Sequence, residues 1–332
     1  MIRRSIVAIL VAAVVAAACG GDAAPLTIYS GRSEELVAPL IEQFSTATGI
    51  EVEIRYADSA ELAATILEEG DNSPADVFFA QDPASLGTVK IAGLLSTLDE
   101  ALVASVPARF ADIDGAWVGV SGRARVVVYD STKVDAATLP DTEDGFTDPD
   151  WLGRVAIAPT NGSFLAFVAA KILLEGEEAA TDWLRALAAG GAPTFENNAA
   201  IVAAVDDGQV DAGLVNHYYL FRRIDEEGAD VVAANHFLTG GSAASLVMPA
   251  GAGILASSDN AADATRFIEF LLSEEAQRYF ADETFEYPLI AGVEPSQGLP
   301  PLDSLTTPEL SLSDLATVLD RATDLVAEAG LL

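Results

Sequence analysis

Residues 26–80, LTIYSGRSEELVAPLIEQFSTATGIEVEIRYADSAELAATILEEGDNSPADVFFA, decide the fold class. LTIYS (26–30) is a short apolar, β-branched run closed by the turn GRS. EELVAPLIEQFSTATG then places apolar residues at helical spacing until Gly49 stops it. IEVEIRYA (50–57) alternates apolar and polar residues with period two, as a strand does. Ser59 is a candidate N-cap for SAELAATILEEG, Gly70 its stop, and ADVFFA (75–80) a buried strand. The order β, α, β, α, β at these spacings predicts a parallel sheet with helices on its faces. Ligands of such sheets sit beyond the carboxyl ends of the strands, which singles out the loops after IYS and VFFA.

The middle of the chain repeats the theme as a second unit. RVAIAPT (154–160) reads as a strand, NGSFLAFVAAKILLEG as a turn running into a helix, EEAATDWLRALAAGG and AIVAAVDDG as helices, and QVDAGLVNHYY (209–219) as a strand. AADATRFIEFLLSEEAQRYFAD (261–282) is expected to be one helix, and LSDLATVLDRATDLVAEAG (312–330) another. WVGVSGRARVVVYD (117–130) is too long for an ordinary strand and reads as two strands, or as one that leaves one unit for the other. With a second crossing near residues 243–255, two α/β lobes are joined by a hinge, and a cleft that can close on a ligand follows.

The N-terminus carries Arg3 and Arg4, an apolar run from Ile6 to Ala18, and then Cys19, the single cysteine of 332 residues. That pattern predicts a secretory signal over residues 1–18, too short for a comfortable membrane span. Ala16, Ala17 and Ala18 before Cys19 resemble a bacterial lipobox, so Cys19 is expected to carry lipid and residues 19–25 to act as a tether. One cysteine allows no internal disulfide. Removing residues 1–18 takes two arginines and no acid, so the formal charge moves from −34 to −36. Such a surface repels nucleic acid and anionic membranes. The two histidines and three lysines, with no nucleophile elbow, metalloprotease motif or phosphate-cradling loop, argue against an enzyme.

VNHYYLF (215–221) sets a histidine and two adjacent tyrosines where the strand-like VDAGLV ends. Neighbouring residues diverge on any regular element, so Tyr218 and Tyr219 can converge only where that strand has already finished. With LTIYSGRSEELVAPLIEQFSTATGIEVEIRYA, SPADVFFAQDPASLG, VGVSGRARVVVYD, AIAPTNGSFLAFV, ENNAAIVAAVDDGQVDAGLVNHYYL and FEYPL, this stretch resembles the iron(III) solute-binding proteins of bacterial ABC transporters. The resemblance runs from about residue 26 to about residue 290, in the family's order.

It implies a type II-like, two-lobed periplasmic-binding-protein fold, each lobe a mostly parallel sheet flanked by helices, with a hinge of crossing strands. Lobe 1 is expected over residues 26–122 plus about 250–298, and lobe 2 over 123–249 plus about 299–332. It further implies capture of ferric iron by a monomer and delivery to a membrane permease and ATPase. The metal ligands carried over are Tyr218 and Tyr219. Chemistry supports them: a hard trivalent cation prefers anionic oxygen and can deprotonate a phenol of pKa about 10. His217 reads as structural, not as a ligand, and His236 has no supporting context.

The family's histidine and glutamate ligands match Ser33 and Gln81 here, which carry no charge and leave room only for weaker cleft contacts, with Arg32 beside them. Asp82 could take the glutamate's part only if its loop were shifted. A synergistic anion, phosphate, carbonate or citrate, is expected to fill the gap. Its residues, by resemblance, are Asn161, Gly162 and Ser163 at a helix start, Asn197 and Asn216, with Arg125 (or Arg123) from the extended stretch. The rival is a protein of the same fold for another small solute, such as an oxyanion or a polyamine.

Overall fold

The protein is described from a computed structural model covering residues 24–228, 230–296 and 298–332, so the expected signal segment and Cys19 lie outside it. β1 (Leu26–Ser30), α1 (Glu34–Thr48), β2 (Val52–Tyr56), α2 (Ser59–Glu69) and β3 (Val77–Ala80) follow the order read from the sequence. Then come α3 (Pro83–Ile91), the single turn α4 (Glu100–Val103) and the long strand β4 (Val118–Asp130). The second unit comprises β5 (Val155–Ala156), α5 (Gly162–Glu175), α6 (Glu177–Ala189), α7 (Asn198–Asp206), β6 (Ala212–Asn216), α8 (Tyr218–Glu227) and β7 (Ala233–His236). The chain then returns through β8 (Val247–Ile254) to α9 (Ala261–Leu271), α10 (Glu274–Asp282) and α11 (Leu319–Glu328).

The strand order is β2-β1-β3-β8-β4-β6-β5, with β7 also paired to β4. The pairs β1–β2, β1–β3 and β5–β6 are parallel, whereas the long strands β4 and β8 pair antiparallel with their neighbours. WVGVSGRARVVVYD is therefore one continuous strand that changes partners. Val118 to Ala124 pair with β8, and Arg125 to Tyr129 pair with β6. Residues 123–125 are the point where one unit hands over to the other.

The core of the first unit is aromatic and aliphatic, with Phe44 edge-on to Phe267 at 5.1 Å. A second cluster, including Val126, Ile201, Val205 and Val215, fills the space under β6. The C-terminal 3₁₀ turn Leu312–Val318 packs on α3 of the first unit and α5 of the second. Gly87 of α3 is close-packed there, since a Cβ would stand 2.8 Å from the Ala316 methyl.

Four element assignments differ from the sequence reading. QVDAGLVNHYY stops being a strand at Asn216, and Tyr218 opens α8, which runs through the charged FRRIDEE. That helix carries its acids and Ile224 at exposed positions and Arg222 and Arg223 at half-buried ones, so the charged run hid its periodicity. The single helix expected over 261–282 breaks at Leu272–Ser273, because the Ser273 hydroxyl caps α10 by accepting from Ala276 N–H at 3.2 Å. LSDLATV is 3₁₀, and only Leu319–Glu328 is α-helical. RVAIAPT contributes two strand residues, with Ile157 making an isolated bridge to Thr194. Among the described residues no helix is long and apolar enough to cross a membrane.

Candidate metal centre

Strand ends converge at a cleft of about 600 Å³. β1 delivers Gly31, β3 delivers Gln81, β4 delivers Arg123, and the start of α5 delivers its cap Asn161 and Ser163 of its first turn to its walls. Gly31 is required by close approach: a Cβ there would lie 2.0 Å from Ser59 Oγ, the atom that accepts from Gln81 N–H at 2.8 Å.

The tyrosine pair sits at the first turn of α8. The two rings stack with centroids 4.3 Å apart and an interplanar angle of 27° although both residues are helical, so the strand has ended as expected but the expected divergence on a regular element does not hold for this pair. Tyr218 is buried and Tyr219 half-buried. Among the described residues neither hydroxyl is hydrogen-bonded to protein. Burial pushes the Tyr218 phenol well above its ordinary value, and the neighbouring Tyr219 adds to this. Arg123 and Arg32 pull the other way.

Three arginines close around the pair, all nearly devoid of exposed surface. Arg32 Nη2 donates to Glu286 Oε1 at 2.7 Å, and the Glu286 carboxylate also accepts from Ser121 Oγ at 2.7 Å. Burial opposes the Arg32 charge, but Glu286 and the two phenols outweigh it and raise its pKa. Arg123 Nη2 donates to the Gln81 carbonyl. Arg125 Nη1 donates to Ser163 Oγ at 3.1 Å and to Asn216 Oδ1 at 3.3 Å, a contact set up by the β4–β6 register that pairs these two residues. Burial, then repulsion from Arg123, pushes the Arg125 guanidinium down to about 9.

Donor capacity is left over. Nε and Nη1 of Arg32, Nε and Nη1 of Arg123, Nε and Nη2 of Arg125, and Nδ2 of Asn216 are buried without a protein partner. Buried donors normally find acceptors, and a buried cation without a counter-charge is costly. Among the described residues Arg123 and Arg125 have no carboxylate among their contacts, so this wall suits an anion. The donor set suits a hard cation beside it. Among the described residues no group of three His, Cys, Asp or Glu side chains is arranged to hold a metal.

The other residues named from the sequence are placed as follows. Asn161 caps α5; its Oδ1 accepts from Ser163 N–H at 3.1 Å and Ser163 Oγ at 2.6 Å. Gly162, the first helical residue, has open space in front of it. Asn197 caps α7 by accepting from Ala200 N–H at 2.9 Å and lines the cleft. Its neighbour Asn198, which the sequence reading passed over, reaches Asn161 Oδ1 at 3.1 Å and Ser163 Oγ at 3.3 Å. Ser33 is the exposed residue before α1 and makes no side-chain cap. Asp82 is occupied as the cap of α3, with Ser85 N–H at 2.8 Å and Ser85 Oγ at 3.0 Å on its carboxylate. Glu286 of FEYPL carries no local motif that marks it, because its partner Arg32 is 254 residues away in sequence.

His217 is a structural histidine. It is fully buried, and Nδ1 accepts from Ala124 N–H at 3.1 Å, which leaves the proton on Nε2 to be donated to the Phe285 carbonyl at 2.8 Å. Burial pushes its pKa down to about 4. A base whose pKa falls on folding contributes stability that is complete above about pH 6.5 and lost as pH falls towards 4, at about 1.4 kcal/mol per pH unit. The stability advantage of the wild type over His217→Phe, measured by urea unfolding of iron-free protein, should therefore shrink between pH 7 and pH 4.5.

The model of the bacterial extracellular solute-binding protein family matches residues 72–304, and this chain belongs to that family. The major ferric iron-binding protein of Neisseria meningitidis serogroup B is 37% identical over 93% of both chains. Iron-bound HitA from Pseudomonas aeruginosa superposes with a TM-score of 0.86 at 35% identity, covering 92% of this chain and 99% of that one. Trichodesmium FutA in complex with iron and citrate ligands gives 0.81 at 28% identity, with 92% and 99% covered.

Proposed function

We propose that this exported chain captures ferric iron together with a synergistic anion and delivers it, as a monomer lipid-anchored through Cys19, to a permease and ATPase in the membrane. The phenolates of Tyr218 and Tyr219 are the protein's metal ligands. The anion lies against Arg123, Arg125, Ser163 and Asn216, at the helix start Asn161–Gly162, with Asn197 on the cleft wall. Lobe 1 and lobe 2 divide as the sequence suggested and close on this cargo.

The observation that carries the reading is the stacked phenol pair facing three buried guanidiniums with only one carboxylate among them. A ferric ion with two phenolates keeps one positive charge. Arg123 and Arg125 add two, and Arg32 is balanced by Glu286. The charge left beside these two guanidiniums favours an anion, and we take citrate as the first candidate, with Asp58, Asp82, Glu196 and Asp320 on the cleft walls supplying further negative charge. The iron-loaded relatives, one of them holding citrate, point the same way.

Titrating the iron-free protein with ferric ion in the presence of citrate, phosphate or carbonate should produce a visible tyrosinate-to-iron charge-transfer band. The strongest band per iron is expected with citrate. Absence of a band with every anion sinks the iron assignment, and an identical band with no added anion sinks the anion.

A further inference from the structure

We propose that His217 is a positioning residue for the iron-binding tyrosines, acting through its hydrogen bond to Phe285. The proposal rests on the iron reading above.

His217 stands between the last residue of β6 and the first residue of α8. A helix start normally uses Ser, Thr, Asp or Asn to cap its own amides, as Asp82, Asn161, Asn197 and Ser273 do elsewhere in this fold. His217 makes no such cap. Its carbonyl accepts from Leu220 N–H of α8 at 3.3 Å, and its polar groups are otherwise spent on other elements. Its N–H donates to the Ala124 carbonyl at 3.0 Å, its carbonyl accepts from Asn235 Nδ2 at 2.8 Å, and its ring bridges Ala124 N–H to the Phe285 carbonyl.

Both ring partners are special positions. Ala124 lies where β4 passes from β8 to β6, between Arg123 and Arg125. Phe285, at φ +58°, is the one non-glycine with positive φ among the described residues. Such a conformation persists only where its surroundings hold it. The strained turn aims the Phe285 carbonyl at His217, and the next residue, Glu286, holds Arg32, whose charge acts on both phenols. Phe285 also stacks on Phe221, one helical turn beyond Tyr218, at 5.9 Å and 25°.

The start of α8 is thus gripped on both sides of the tyrosines. Each residue turns a helix by about 100°, so a small rotation of this first turn would carry one phenol away from the other's target. The His217–Phe285 bond fixes that rotation, and through the same turn it fixes Arg32 relative to the phenols.

Two amide variants separate the halves of the ring. In His217→Gln the terminal nitrogen reaches the place of Nε2 and can still donate to the Phe285 carbonyl. In His217→Asn the oxygen replaces Nδ1, keeps the Ala124 bond and falls short of Phe285. Iron affinity, by competition with a chelator, and the wavelength of the charge-transfer band are read on folded protein. His217→Gln should bind within about threefold of wild type with an unmoved band, whereas His217→Asn should bind about tenfold or more weakly with a displaced band, as outer-shell losses at metal sites do. Equal behaviour of the two variants, whether both normal or both impaired, overturns the proposal. Should His217→Asn not fold, Phe285→Gly frees the same turn with His217 intact and should show the weaker binding and displaced band; unchanged binding overturns the proposal. Absence of the band from wild type overturns both this and the iron reading, whereas a normal wild-type band with indistinguishable variants overturns the positioning role alone.

Discussion

Replacing both phenols, Tyr218→Phe with Tyr219→Phe, is expected to abolish the visible iron band and to weaken ferric binding by at least about 10⁴-fold, about 5.5 kcal/mol. Neither hydroxyl is hydrogen-bonded to protein among the described residues, so the substitution removes ligand atoms without breaking the fold's own bonds. The rings remain, and with them the 4.3 Å stack and the contact of Tyr218 with His217. Thermal unfolding of the iron-free protein should accordingly change little, or rise slightly, because a buried polar atom has been deleted. Each single variant should retain part of the affinity, because one phenolate and the anion can still bind. The expected signature is loss of iron with retention of stability. A double variant that binds iron within tenfold of wild type would show that the tyrosines are packing residues and that the metal, if bound, sits elsewhere.

The fold and the site were legible to different depths. The β, α, β, α, β run of residues 26–80 was readable because strands and helices there are short, amphipathic and punctuated by Gly49 and Gly70. The crossing strand was readable from its length alone, but the partner switch at Ala124 was not, since register is settled by β6 and β8 far along the chain. For the candidate site, Tyr218, Tyr219, Asn161 and Ser163 were all named from the family resemblance, and the structure shows Asn161 also capping α5. Arg32–Glu286 was invisible, because a buried ion pair across 254 residues leaves no local trace. Asn198 was passed over for its neighbour Asn197: both follow Glu196, and only the start of α7 decides which one caps and which one turns towards Asn161. What decides the electrostatics, three buried guanidiniums around two phenols, is a property of packing and not of any stretch of sequence.

Acidification should release the iron steeply. Burial raises the Tyr218 phenol well above its ordinary value of 10, so at neutral pH the iron-free site holds that proton. Ferric ion must displace a proton from each phenol it uses, and metal affinity falls with pH by one decade per proton displaced. With two tyrosinate ligands the intrinsic affinity should drop by about a hundredfold for each pH unit lost, once the protonation of the competing chelator and of the anion is subtracted. The stability of the iron-free protein has the opposite dependence on this group. A phenol whose folded pKa is raised contributes stability that is complete below pH 10 and lost as pH rises through the folded value, so Tyr218 does not weaken the fold while it lets go of iron. Between neutral pH and pH 5 the band should therefore fade before unfolding begins, although the His217 contribution erodes below about 6.5. Two protons per iron, counted by titration in unbuffered solution, is the expected stoichiometry; a slope near zero would mean that the phenols stay protonated and that the cargo is held by its chelating anion alone, with the guanidiniums as its only anchors.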